Sequence, residues 1–298
     1  MSSMKPWQAY SILFLIAMCW GLGFPLTKEG LVHVGPASFM FSRFLIATLV
    51  LVALRPKQSF SIKKSEWIVG ASLGFFLALG FVVQTIGLEV TSSGKAGFIT
   101  SLNILIVPII SSFLFGRRIT VKDRIAIGLA VLGFFVMSMH SLESGIAPGD
   151  LWILACAFFF AFQIVGIEEW TKNLRVFQVN MAQVITSTLI CGLVAVLRED
   201  TDFVAYQAAA MPIVLTAVLS LTFPLLAQMY AQRVVSATSA ALIMSLEAVF
   251  AVLFGWWLHL EILSEREFLG CFIILMATVL LLSPTKILML HRLLRKKI

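Results

Sequence analysis

The sequence predicts an all-α integral membrane protein of ten transmembrane helices, arranged as two inverted five-helix repeats over residues 1–142 and 143–298. Three observations lead there: an apolar excess that no soluble core can hide, ten apolar runs near spanning length, and a segment that recurs at a fixed distance along the chain. Hydrophobic residues make up 60% of the 298 and charged residues 12%, against roughly 45–50% and 25% in a soluble domain. A chain in hydrocarbon must satisfy every backbone N–H and C=O internally, which leaves helical bundles or closed barrels. The apolar runs are continuous rather than alternating, so they are helices and not barrel strands.

Each run is close to the roughly 20 residues that cross hydrocarbon, and each ends at turn formers or charges. The first, centred near Ile16, follows Lys5 and has no small-residue cleavage site, so it is expected to be a retained helix, loosened near its end by Pro25. The second centres near Ala47, between the breaks Gly30 to Pro36 and Arg55 to Lys64, and the third near Leu77, before Ser92 to Lys95. The fourth and fifth centre near Leu105 and Val131, closed by Gly116 to Arg124 and His140 to Asp150. The sixth, near Phe160, runs to Glu168 and Glu169, which read as a solvated helix end or as guards of a cytoplasmic mouth. The seventh and eighth, near Thr188 and Leu221, close at Arg198 to Asp202 and Arg233 to Ser236. The ninth, near Ala251, ends with Trp256 and Trp257 in the position of an interfacial aromatic belt, before the break His259 to Glu267. The tenth, near Leu275, leads into a basic tail, His291 to Lys297, suited to anionic lipid.

Short breaks make consecutive helices antiparallel, and the distribution of basic residues orients them. With the N-terminus inside, seventeen Lys and Arg fall on the cytoplasmic side and four, Lys28, Lys95, Arg198 and Arg266, on the other. That asymmetry places both termini in the cytoplasm and the chain in the cytoplasmic membrane as a multi-pass protein. It also accounts for the net charge of +7 without nucleic acid. Cys19, Cys156, Cys191 and Cys271 all lie inside apolar runs, with no CxxC and no His cluster at ligand spacing, so they read as packing residues. No metal or cofactor is called for.

The recurring segment is QTIGLEVTSSGKAGFITSLN, Gln84 to Asn103, matched by QMYAQRVVSATSAALIMSLE, Gln228 to Glu247, at an offset of 144 residues. Ser92, Ala96, Ile99, Ser101 and Leu102 meet Ser236, Ala240, Ile243, Ser245 and Leu246 in that register. Five spans separate the copies, so they cross the membrane in opposite directions, the inverted repeat common among secondary transporters. The residues Trp20-Gly21 with Phe24, Ser42 to Leu51, the TSSGKAGFITSLN stretch from Thr91, and Ser236 to Glu261 resemble the EamA-type branch of the drug/metabolite transporter superfamily over nearly the whole chain. The chain departs from that pattern at Ala248, where a Pro is common, and at Ala277, where the first copy has Gly133.

The resemblance implies a carrier, with export of amino acids or related small polar metabolites by alternating access as the expected activity. An efflux carrier for lipophilic or quaternary ammonium cations is the alternative. No GxxxxGK[ST] segment supplies an ATP site, so an ion gradient, exchange or the substrate's own gradient must drive movement. An intramembrane enzyme needs a nucleophile and base, or ligands, converging at one face, and the four His do not cluster. Partners are then a small-molecule substrate and lipid, and the chain is compatible with a homodimer.

Polar side chains inside spans are the candidate site, because a charge at the bilayer centre costs about 2.5–3.5 kcal/mol on insertion scales. Glu247 lies near mid-bilayer, either as a helix-to-helix hydrogen bond or as the coupling and substrate-binding carboxylate. Asn103 is its counterpart in the 144-residue register, and Gln84 and Gln228 form a second matched pair, as caps or as parts of alternating gates. Arg43 reads as a snorkelling side chain or as a bidentate anion clamp. Trp20, beside Gly21, Gly23 and Pro25, offers either a core aromatic or a stacking surface at a bend.

Overall fold

The computed structural model describes residues 4–143, 148–199, 203–258 and 264–283, and all regular structure among them is helical. The helices are α1 (Pro6–Gly30), α2 (Pro36–Leu54), α3 (Lys64–Leu88), α4 (Ser93–Phe115), α5 (Val121–Glu143), α6 (Pro148–Trp170), α7 (Val176–Arg198), α8 (Ala210–Ala231), α9 (Ala237–Trp257) and α10 (Glu265–Leu282). Eight of them, all but α5 and α10, are long and apolar enough to cross a membrane. The basic tail, Glu261 and parts of the breaks at 144–147, 200–202 and 259–263 lie outside the described residues.

Local chemistry sets the helix limits. Pro6, Pro36 and Pro148 start helices, where their missing N–H costs nothing. Ser92 and Ser236, matched in the repeat register, cap α4 and α9 in the same way: each hydroxyl oxygen accepts from the N–H three residues on, Lys95 or Ser239, at 3.3 Å. Pro25 leaves α1 unbroken, since the helix runs on to Gly30. Instead α4 is interrupted at Leu102 and α9 at Ser245, where the bonds tighten to a three-residue spacing, as in Leu105 N–H to Leu102 C=O at 3.0 Å and Ala248 N–H to Ser245 C=O at 3.2 Å. Within α8, residues 217–222 form a π-helical turn.

The packing places α3 against α6 and α7, and α8 against α1 and α2. Likewise α4 packs on α6 and α9 on α1, while α2 with α7, α4 with α9, and α5 with α10 are neighbours. Moving five helices along the chain turns each of these pairings into another that is present. The α5 and α10 pair meets through small residues: a Cβ on Gly133 would lie 2.9 Å from the Gly270 carbonyl oxygen, and one on Gly270 2.6 Å from that of Gly133. Close packing therefore uses Gly270, so Ala277 does not loosen it. Large apolar side chains such as Phe113, Leu193 and Phe268 face outward, as lipid contact requires.

Candidate functional site

The two interrupted helices meet. Ser101, one residue before the break in α4, donates its hydroxyl to the Ser245 carbonyl at the break in α9, at 3.2 Å. Asn103 and Glu247 follow these contacts by two residues each, so the crossing holds both near one point in the interior, where they are buried at 6% and 5% exposure. Helix α1 closes over them at Gly21. A Cβ there would come within 2.3 Å of Phe250 Cβ and 2.9 Å of the Glu247 carbonyl oxygen, so the approach of α1 to α9 depends on hydrogen in place of a side chain.

That approach brings Trp20 onto α8. Its indole N–H donates to the Ser220 carbonyl at 2.8 Å, and the Ser220 hydroxyl returns a bond to the Cys19 carbonyl at 3.1 Å. Ser220 lies inside the π-turn, where the widened spacing alters which carbonyls are used within the helix. Such turns recur at functional sites, and this one borders a cavity.

The cavity encloses about 660 Å³ of empty space including its opening, within the range of small-molecule sites. All six residues singled out in the sequence line it: Trp20, Arg43, Gln84, Asn103, Gln228 and Glu247. Phe24, Phe81 and Phe160 give it aromatic walls. Arg43 does not reach out to headgroups; it is 3% exposed and its guanidinium lies 5.5 Å from the Phe39 ring centre and 5.7 Å from that of Phe81. It donates to Thr27 Oγ1 at 3.5 Å and approaches Met40 Sδ at 3.3 Å, while its Nε has no partner. Among the described residues neither Arg43 nor Glu247 makes an ion pair. Gln84 donates to Thr100 Oγ1 at 3.0 Å, and Asn103 Oδ1 and Gln228 Oε1 are buried without partners.

Sequence reasoning passed over Gln163, which lines the same cavity, and the amides joined to it. Gln163 donates to Gln183 Oε1 at 3.3 Å, and Gln183 to Asn180 Oδ1 at 3.5 Å. Gln228 donates both to Gln163 Oε1 at 3.4 Å and to Gln232 Oε1 at 2.9 Å. The rule that selected Gln84 and Gln228, an amide inside an apolar span, picks out Gln163, Asn180 and Gln183 as well.

Charged clusters mark the two ends of the bundle. Around the start of α4, Lys95 pairs with Asp150 at 2.7 Å, and Lys28 donates to the Thr91 carbonyl at 3.0 Å. The Glu199 carboxylate accepts from Ala37 N–H and Ser38 N–H, each at 2.8 Å, capping α2. Elsewhere Arg117 pairs with Glu169 at 2.6 Å, Arg175 with Glu66 at 2.6 Å, and Glu168 accepts from Ala237 N–H at 2.7 Å to cap α9. Hydrogen bonding to Glu66 raises the Arg175 guanidinium above its ordinary value. Among the described residues no three His, Cys, Asp or Glu side chains gather as a metal site.

Comparison with known proteins gives this arrangement a context. A 17% identical chain of known crystal structure superposes with a TM-score of 0.76 over 93% of this chain and 97% of its own, which shows a shared fold. An "Uncharacterized transporter" of Archaeoglobus fulgidus is 30% identical over 268 residues, 90% of this chain and 83% of its own. A "Probable amino-acid metabolite efflux pump" of Salmonella typhimurium is 27% identical over 154 residues, half of each chain. The profile of the EamA-like transporter family matches residues 7–139 and again residues 147–283. With nearly its whole length accounted for in two successive matches, the chain belongs to the EamA-like transporter family.

Proposed function

We propose that this chain is a ten-span secondary transporter that moves small polar metabolites, amino acids foremost, out across the cytoplasmic membrane by alternating access, with both termini cytoplasmic. The observation that carries the reading is electrostatic. Arg43 and Glu247 line one cavity, both are buried, and no ion pair joins them. A buried charge without a counter-ion is costly, and a ligand bearing a carboxylate and an ammonium group offsets both costs at once. The guanidinium fork suits the carboxylate, Glu247 suits the ammonium, and the aromatic wall takes an apolar side chain. The name borne by the Salmonella typhimurium relative is in keeping with this substrate class.

Two five-helix halves, 1–142 and 143–298, are supported by the 144-residue register, the shared capping by Ser92 and Ser236, and the two family matches. Halves of this kind rock about a central site. Glu247 is the proposed coupling residue, able to exchange a proton for substrate. The aromatic lining, Trp20, Phe24, Phe81 and Phe160, favours one second reading, efflux of quaternary cations held against Glu247.

Purified protein in liposomes loaded with amino acids, amines, quaternary ammonium compounds and sugars, followed by mass spectrometry with and without a pH gradient, separates the two. Protein-dependent loss of amino acids supports the first reading and loss of quaternary cations the second. Retention of every compound rejects both.

A further inference from the structure

The amide chain beside the cavity has a direction, and one end of it is fixed. Gln232 donates its Nε2 to the Ile164 carbonyl at 2.8 Å. A backbone carbonyl only accepts, so the Gln232 amide can take one orientation there, with Nε2 toward Ile164 and Oε1 toward Gln228. Gln228 must then present its Nε2 to Gln232, at 2.9 Å. Its Oε1 is left over, buried and without a partner, on a side chain that lines the cavity. Asn103 Oδ1 is also unpartnered in that cavity, and the Glu247 carboxylate lines it too. These are three acceptors, and an R–NH3+ group offers three donors.

We propose that the relay from the Ile164 carbonyl through Gln232 to Gln228 orients Gln228 Oε1 as an acceptor for a primary ammonium group, which makes Gln232 a positioning residue for substrate selectivity. Gln232 is 3% exposed and does not line the central cavity. It borders a second cavity, with Glu168, Thr171, Lys172 and Arg233. It therefore acts through Gln228 rather than on the substrate. A primary ammonium uses all three acceptors, whereas a trimethylated nitrogen has no N–H and uses none as a hydrogen bond. This inference rests on the amino-acid reading above and narrows it at the nitrogen end of the ligand.

The test measures transport into proteoliposomes of α-amino acids and simple primary amines, each paired with its N-trimethylated derivative. The wild-type protein is expected to prefer the primary member of each pair by about tenfold or more, the scale of a lost hydrogen bond to a charged group. Gln232→Leu frees Gln228 to turn its NH2 toward the cavity, and the preference should fall several-fold through KM on the primary member alone. Gln232→Glu still accepts from Gln228 Nε2 and should restore the preference. Gln228→Met should match Gln232→Leu, which keeps the idea testable if one variant folds poorly. Equal loss on both members of a pair in Gln232→Leu, or no rescue by Gln232→Glu, overturns the positioning role. If wild-type protein moves amino acids without preferring the primary nitrogen, this inference alone falls. If it moves none of the compounds, the amino-acid reading falls and takes the inference with it.

Discussion

Glu247 and Glu89 are two carboxylates in opposite situations, and each makes its own prediction. Glu247 is enclosed in the cavity with no cation beside it. If it carries the coupling proton, Glu247→Gln keeps the shape of the side chain and removes its titration. Transport by this variant should no longer respond to an imposed pH gradient, while its unfolding temperature in detergent stays close to wild type. An unchanged pH response would move the coupling elsewhere. Glu89 ends α3 near solvent, and partial burial of its carboxyl, then the charge of Glu199, raise it above the ordinary carboxylate range. A carboxyl raised in the folded state binds more protons there than in the unfolded chain, so stability falls as pH rises from the ordinary carboxylate value through the raised one. Glu89→Gln removes that penalty. It should stabilise the protein slightly at neutral pH and lose the advantage in acid, and salt should shrink the effect because the group is exposed.

At the scale of helices, close approach matters more than propensity. Gly21 has no room for a methyl group between α1 and α9, whereas Gly128 in α5 has nothing within 4 Å of a built Cβ. Gly21→Ala should therefore cost about 1–3 kcal/mol by overpacking and reduce transport, because the α9 backbone it displaces carries Glu247. Gly128→Ala should be neutral or stabilising by up to about 1 kcal/mol through helix propensity. Chemical or thermal unfolding in detergent reads both. A Gly21→Ala protein as stable and active as wild type would mean that the helices separate freely at this point.

At the scale of the whole chain, the number of spans is the first thing to measure. Helices α5 and α10 pack on each other, but neither meets the apolar length of the other eight. Cys introduced at the exposed residues Thr120 and Asn173 tests whether α5 crosses. Two crossings, α5 and α6, put both sites on one face, so an impermeant maleimide should label both from the same side; labelling from opposite sides removes α5 from the count. Much of this molecule was legible beforehand, because lipid leaves helices as the only way to hide an apolar backbone, and buried polar residues are rare enough to stand out. The six chosen residues converge on one cavity for that reason. What the sequence hid was partnership. Nothing in the run around Arg43 announces that Phe39 and Phe81 flank it rather than headgroups, and Pro25 reads as a weak point although the interruptions fall at Leu102 and Ser245. Contacts between segments far apart in the chain decide both.

The π-turn at 217–222 makes α8 a helix in which residues must be counted. It holds one residue more than an α-helical turn would over the same height, and Gln228 follows it directly in the same helix. Deleting a single residue there lets α8 become regular, but each residue along an α-helix is worth about 100° of rotation. Upstream, Ser220 is tied to α1; downstream, Gln228 is tied to Gln163 and Gln232. A straightened α8 cannot keep both attachments. Chains that share this site should thus tolerate substitutions between Ser220 and Gln228 far better than insertions or deletions, and gaps between relatives should fall outside that interval.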